Sequence, residues 1–261
     1  MRFDSNEAWK TTTAAVVANR DMLLAITGVF VLLPAFALMV FLPEPAPPAK
    51  ADAEALLAAY SGYFERAWPW MLGVMALHLI GTLAMIALIT DPRRPTVGEA
   101  IRSGSARTLT AGLAMAILFF VLSFAAGLPI NLAALAGSKA LSFAGMAAGL
   151  TLLFYGLARA LPLMPVVVIE RVANPFAALR RAWALSRGNG GRLLAFYALV
   201  FVAFLLMRQL FLAGLTILLG LVVGAESGQM GIALAASGID AVMSVYLAAM
   251  LAAIHSQLAS N

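Results

Sequence analysis

The side chains best able to do chemistry are three titratable groups inside long apolar runs: His78, Arg208 and Asp240. A charge in the hydrocarbon core of a membrane costs at least about 2.5 to 3.5 kcal/mol on insertion scales, so it normally faces protein or water and has a partner. We therefore expect Arg208 and Asp240 to form an ion pair between two helices. Such a pair either fixes helix packing or forms part of a substrate or proton pathway. His78 is either a proton relay in that pathway, since histidine titrates near neutrality, or a hydrogen-bonded packing residue.

Arg159 and Glu170 are a second candidate polar pair, at the end of another apolar run. Two outcomes are open for Arg159: its side chain reaches the lipid headgroups, or it meets Glu170 where Pro162 and Pro165 bend the chain back. In the second case the pair would form a structural brace.

The composition of the chain as a whole indicates that it lies in a membrane. Of 261 residues, 63% are hydrophobic and 11% are charged, and the mean hydropathy is +0.95. These values are far too apolar for a water-soluble domain of this length. We predict an all-α, polytopic membrane protein whose residues 1–261 form a single integral membrane domain.

Six apolar runs are long enough to cross a hydrocarbon core of roughly 30 Å as helices. Pro34 is expected to distort the first run, and the fourth either ends at 158 or continues to 169. Arg208 and Gln209 interrupt the fifth, which is either one long helix or two pieces. The predicted spans are 22–42, 67–90, 108–130, 140–158, 193–224 and 230–254.

The basic residues are unevenly distributed between the connecting segments. Thirteen of the seventeen Lys and Arg residues lie in 1–21, 91–107 and 159–192, whereas the other three loops share Lys50, Arg66 and Lys139. Membrane insertion retains basic loops in the cytoplasm. We therefore expect both termini in the cytoplasm, a bacterial inner-membrane location, and a mature N-terminus rather than a signal peptide.

Three short segments resemble one another, at 7–14, 99–106 and 177–184. Each precedes an outgoing span, which is consistent with three copies of a unit made of an interfacial helix and two spans. Because alanine is abundant here, chance matching explains the similarity equally well, and both interpretations stay open.

The third of these segments is predicted to be an amphipathic interfacial helix. Asn174 can cap its N-terminus and Pro175 suits its first turn, while Gly188 to Gly191 permits a sharp turn into the next span. Phe176, Leu179 and Trp183 fall on one face of this helix. We expect this helix to lie at the cytoplasmic surface and to bind anionic lipid headgroups; the alternative is an ordinary basic loop that only fixes orientation. The candidate headgroup contacts are Arg180, Arg181, Trp183 and Arg187.

The region from 159 to 194 resembles a known family. It combines Arg159, Pro162, Pro165 and Glu170 with the sequence ALRRAWALSRG at 178–188. This pattern resembles the membrane domain attached to some bacterial glycerophosphodiester phosphodiesterases, and the stand-alone relatives of that domain. Ala182 stands where a serine is usual, and His255 and Ser256 stand where tyrosine and arginine are expected. The resemblance implies a helical membrane fold but no activity, because no phosphodiesterase catalytic domain is present.

No enzyme motif is found in the sequence. Cysteine is absent, the two histidines cannot form a multi-histidine metal site, and no zinc-protease, serine-hydrolase or phosphate-loop motif occurs. We expect no metal, no cofactor and no nucleic-acid partner. The leading hypothesis is a non-enzymatic membrane protein that engages anionic lipid, as a scaffold or lipid-handling factor. The alternative is a small transporter or channel with a polar path through the membrane.

Overall fold

The structure, a computed structural model, describes residues 3–43, 45, 53–222 and 225–260. Lys50 and Gly224, which entered the sequence predictions, lie outside these residues. The described chain contains six helical segments long and apolar enough to cross a membrane, which confirms the all-α polytopic fold. They are Arg20–Phe41, Glu54–Thr90, Val97–Leu135, Lys139–Ile169, Gly190–Val222 and Gly228–Ala259.

Ten α-helices and one π-helical turn are assigned in the described residues. Two of the six spans, the first and the fourth, contain more than one of these elements. The helices are α1 (Ser5–Ala18), α2 (Arg20–Thr27), α3 (Leu33–Phe41), α4 (Ala53–Thr90), α5 (Val97–Leu135), α6 (Lys139–Ala160), α7 (Leu163–Ile169), α8 (Pro175–Leu185), α9 (Gly190–Val222) and α10 (Ala225–Ala259).

The distortion predicted at Pro34 takes the form of a π-helical turn. Gly28–Leu32 separates α2 from α3, and the Leu33 N–H bonds to the Gly28 carbonyl, five residues back. Proline lacks an N–H and its ring clashes with the carbonyl four residues before it. A wider turn directly before Pro34 accommodates both defects, so the first span crosses as one interrupted helix.

The two open questions about helix continuity are also answered. The fourth span continues to Ile169, with a break after Ala160 and a short helix α7 that is buried against α4, α5, α8 and α10. The fifth span is one helix, α9, through Arg208 to Val222. Arginine does not break a helix, because its backbone hydrogen bonds are unaffected by its charge.

The close crossing of α5 and α6 depends on two small residues of α6, Gly145 and Gly149. A Cβ added at Gly145 would lie 2.6 Å from the Pro129 carbonyl oxygen, and one added at Gly149 would lie 2.5 Å from that of Ala126. Both contacts are with α5, so this spacing serves packing within the chain, where small residues let helix backbones approach.

The three basic segments and the C-terminal residues meet at one end of the bundle. We call this end the basic end (residues 3–20, 91–107, 159–192 and 255–260). The Phe3 N–H donates to Asn189 Oδ1 at 3.0 Å, and the Asp4 N–H donates to Gln257 Oε1 at 3.2 Å. Arg107 on α5 donates to the Val167 carbonyl on α7. The turn after α4 and the segments on either side of α8 therefore lie on the same side of the bundle.

Candidate functional site at the basic end

Helix α8 begins with the cap that the sequence predicts. Asn174 Oδ1 accepts hydrogen bonds from the N–H groups of Phe176 at 2.9 Å and Ala177 at 3.2 Å, and Pro175 occupies the first turn. These bonds satisfy N–H groups that have no partner inside the helix. The start of α8 is thus fixed by local sequence alone.

The other end of α8 is held by Arg159, which neither reaches the headgroups nor meets Glu170, so both expectations for this residue were wrong. Its side chain is only 6% exposed. Nε donates to Ser186 Oγ at 2.8 Å, Nη2 donates to the Trp183 carbonyl, and Nη1 donates to the Tyr155 hydroxyl at 2.9 Å. Carbonyls at a helix C-terminus carry partial negative charge, so they stabilise a buried guanidinium without a carboxylate.

Trp183 belongs to this arrangement. The Arg159 guanidinium lies 4.7 Å from the centroid of the Trp183 ring, and Tyr155 packs edge-on against the same indole. A cation over an indole face is attracted by the ring quadrupole. Trp183 therefore contacts a cation of its own protein, on α6, and has an internal role that the sequence did not indicate.

Glu170 pairs with two residues from different elements. Its carboxylate accepts from Arg181 Nε at 2.7 Å and lies 3.1 Å from Nε2 of His255, which is buried on α10. Burial by itself raises the pKa of Glu170, but the bonds from Arg181 and His255 outweigh it and hold the pKa below its ordinary value. Sequence analysis missed His255 as a partner, since a histidine next to a polar tail carries no spacing signal.

The outer face of α8 and the turn that follows it carry the remaining predicted contacts. Phe176 is 67% exposed, and Arg180 and Arg187 are exposed as well. Neither arginine forms an ion pair with any residue that the structure describes. Of the four candidate headgroup contacts, Arg180 and Arg187 are thus free to bind, whereas Arg181 and Trp183 already hold the helix in place.

The intramembrane pair forms as predicted. Arg208 Nε donates to Asp240 Oδ1 at 2.7 Å and Nη2 donates to Oδ2 at 3.2 Å, a two-bond arrangement between α9 and α10. About a quarter of each side chain is exposed, 23% for Arg208 and 27% for Asp240. His78, on α4, lies within range of the Asp240 charge but makes no hydrogen bond to it.

Two cavities open near the basic end. One, of about 500 Å³, lies between the turn after α4, the start of α5 and the end of α7, and half of its lining residues are polar or charged. The other is an apolar groove of about 440 Å³ between α1 and α9, lined by Trp9, Phe196 and Phe204 among others. Neither cavity is lined by His78, Arg208 or Asp240.

No family model, curated protein or solved structure matches this chain. Within the described residues, no three His, Asp or Glu side chains come together in a way that could hold a metal ion. The fold alone therefore indicates the class of protein, which is an all-helical polytopic membrane protein with a basic end.

Proposed function

We propose that this protein is a non-enzymatic component of the bacterial inner membrane that binds anionic lipid at its basic end, acting as a scaffold or lipid-handling factor. In this proposal the basic end faces the cytoplasm, because basic segments are retained there during insertion. We also propose that this chain is related to the membrane domain of glycerophosphodiester phosphodiesterases.

The observation that carries the proposal is the state of α8. The helix is fixed at one end by Asn174 and at the other by Arg159. Phe176 and the unpaired Arg180 are exposed on it, and the unpaired Arg187 is exposed in the turn that follows it. A helix held in this way loses little conformational freedom on binding. A ring among acyl chains with guanidinium groups at phosphate level is the arrangement expected of an interfacial helix.

The apolar groove supports the same function. Its α9 wall, from Phe196 to Met207, lies in a membrane span, while Ser5 and Asn6 of α1 form its polar part. We propose that a lipid acyl chain occupies this groove. A lipid held there would lie at the same end of the bundle as Arg180 and Arg187.

Transport through the membrane is the alternative function, and it receives less support. Arg208 and Asp240 satisfy each other through two hydrogen bonds, and neither described cavity reaches them. A partly buried pair whose hydrogen bonds are satisfied in this way is more readily understood as a packing device.

Native mass spectrometry of the gently extracted protein tests the proposal. We expect bound phosphatidylglycerol to be retained by the wild type and to fall about tenfold or more in Arg180→Gln/Arg187→Gln, since each charge-assisted contact contributes about 1.5 to 3 kcal/mol. The matched control, Arg66→Gln/Lys139→Gln, removes two exposed charges from the opposite end and should retain lipid normally. Equal retention by both variants would refute the role of α8.

A further inference from the structure

The polar cavity at the basic end is separate from the outer face of α8. Its volume is about 500 Å³ and it is bordered by the α4–α5 turn on one side and by the segment that follows α7 on the other. The polar and charged side chains that line it are Thr90, Asp91, Arg93, Glu99, Ser103 and Arg171.

Both carboxylates of the cavity are already engaged. Asp91 Oδ1 accepts from the N–H of Arg93 at 3.0 Å and from its Nε at 3.3 Å, while Oδ2 accepts from Nη2. The Arg93 N–H, with the guanidinium groups of Arg93 and Arg171, holds the pKa of Asp91 below its ordinary value. Glu99 Oε2 accepts from the Thr96 N–H at 2.8 Å and closes the capping box of α5.

Of the two arginines that line the cavity, Arg93 is paired with Asp91, whereas Arg171 has no such partner among the described residues. Arg171 is exposed and forms no hydrogen bond or ion pair with the part of the chain that the structure describes. It lies within electrostatic range of Arg107, which is one helical turn beyond Ser103 on α5. Arg107 Nη1 donates to the Val167 carbonyl at 3.2 Å, but its buried Nε has no hydrogen-bond partner. Two neighbouring cations with an unused donor favour an anion close to both.

Arg171 lies beside the cavity in an unfavourable backbone conformation. Its φ is +56°, in the left-handed region that favours glycine. Arg107 bonds to the carbonyl of Val167 and Thr110 bonds to that of Ala173 at 3.1 Å, so the chain is fixed to α5 on both sides of this residue. The bonds to α5 therefore keep Arg171 beside the cavity in spite of its unfavourable backbone conformation.

We propose that this cavity binds a phosphate-bearing anion through the guanidinium of Arg171, with Arg93 at its rim and the Ser103 hydroxyl as a further donor. A planar guanidinium can donate two parallel hydrogen bonds to phosphate, which makes arginine well suited to this anion. The phosphate is either a free anion or the headgroup of a lipid, and both present the same oxygens. This site is distinct from the proposed lipid-binding surface at α8 (Phe176, Arg180 and Arg187), because the two share no residue.

Replacement of Arg171 by glycine is the decisive test, and Arg94 supplies a matched control. Arg94 also has a left-handed backbone, with φ +50°, and is exposed at the same end, but it does not line the cavity. Arg171→Gly and Arg94→Gly each remove one positive charge and relieve one left-handed arginine. We expect the thermal unfolding midpoint of both variants to be no lower than that of the wild type, so that a loss of binding is not a loss of folding.

Two binding measurements distinguish the sources of phosphate. Calorimetric titration of the detergent-solubilised chain with inorganic phosphate measures the free anion, and native mass spectrometry from phosphatidylglycerol or phosphatidylcholine nanodiscs measures the lipid. We expect the wild type to bind in at least one arm, Arg171→Gly to bind about tenfold more weakly or worse in that arm, and Arg94→Gly to match the wild type. Binding only to nanodisc lipid identifies a headgroup, and saturation by inorganic phosphate identifies a free anion.

The proposal is overturned if the wild type binds in neither arm, if Arg171→Gly binds like the wild type, or if both glycine variants lose binding equally. Arg107→Lys, which keeps the charge but removes the unpartnered Nε, should weaken binding less than Arg171→Gly. The α8 variant Arg180→Gln/Arg187→Gln should bind inorganic phosphate like the wild type, and its loss of phosphatidylglycerol should add to the loss caused by Arg171→Gly. Failure of the α8 surface and failure of the cavity therefore give different results.

Discussion

At the scale of single residues, two charged groups at the basic end, Arg159 and Glu170, have partners from more than one element. Arg159 bonds to residues 24 and 27 positions further along the chain, and Glu170 lies 85 positions from His255. Sequence analysis identified Arg159 and Glu170 as important but assigned them the wrong partners or none. Their types show that they need partners, whereas the choice of partner depends on where distant helices pass.

The Glu170 carboxylate predicts a dependence of stability on acid pH. Because its folded-state pKa lies below the ordinary value of 4.5, its contribution is present above that value and is lost as pH falls through the folded pKa. We expect Glu170→Gln to lower the thermal midpoint at pH 6, and the difference from wild type to shrink below about pH 4. Thermal unfolding from pH 3.5 to 7 measures this, with Glu54→Gln, at the opposite end, as control. A difference that grows on acidification would contradict the assignment.

At the scale of elements, the two ends of α8 are fixed in two different ways. The N-terminus of α8 is fixed by Asn174 within its own sequence, and its C-terminus by Arg159 from α6. The cap was predictable because it depends on adjacent residues, and the clamp was not. Likewise, the π-helical turn before Pro34 could be anticipated as a distortion but not as this geometry.

The Arg208–Asp240 bridge between α9 and α10 predicts a charge-swap result. Arg208→Met or Asp240→Asn alone leaves one charge unpaired in the membrane and should lower stability by about 3 to 5 kcal/mol. Arg208→Asp/Asp240→Arg should recover most of that loss, and so should the neutral pair Arg208→Met/Asp240→Asn. Unfolding in mild detergent and expression level measure the effect. Double variants as unstable as the single ones would argue against the bridge.

A role of this pair in transport would give a different pattern. The neutral double variant would then be stable but inactive in a proton-flux assay with proteoliposomes, in which the wild type is active. Absence of flux from the wild type would leave the bridge as a packing element between α9 and α10.

At the scale of the whole molecule, the fold places all the strongly basic segments at one end. The turn that contains Arg94 and the segment that contains Arg187 both lie there, while the Ala136–Ser138 turn lies at the opposite end of α5. Since α5 crosses the bundle once between these turns, they must face opposite sides of the membrane.

Reporter fusions test this arrangement directly. A reporter active only in the cytoplasm should be active when fused after Arg94 or Arg187 and inactive after Gly137, and a reporter active only outside should give the reverse. Opposite results at Arg94 and Arg187 would contradict the fold, whereas reversal at all three positions would contradict only the proposed orientation.

The amino-acid sequence by itself determined the number of spans, their approximate limits, the common end of the basic segments and the pairing of Arg208 with Asp240. These properties follow from local hydropathy and from the high cost of an isolated charge in hydrocarbon. Only the tertiary structure decided that Arg159 and Trp183 clamp α8, that His255 joins Glu170, and that Arg171 borders a polar cavity. Those contacts depend on how several helices cross in space, and no local pattern in the chain encodes that crossing.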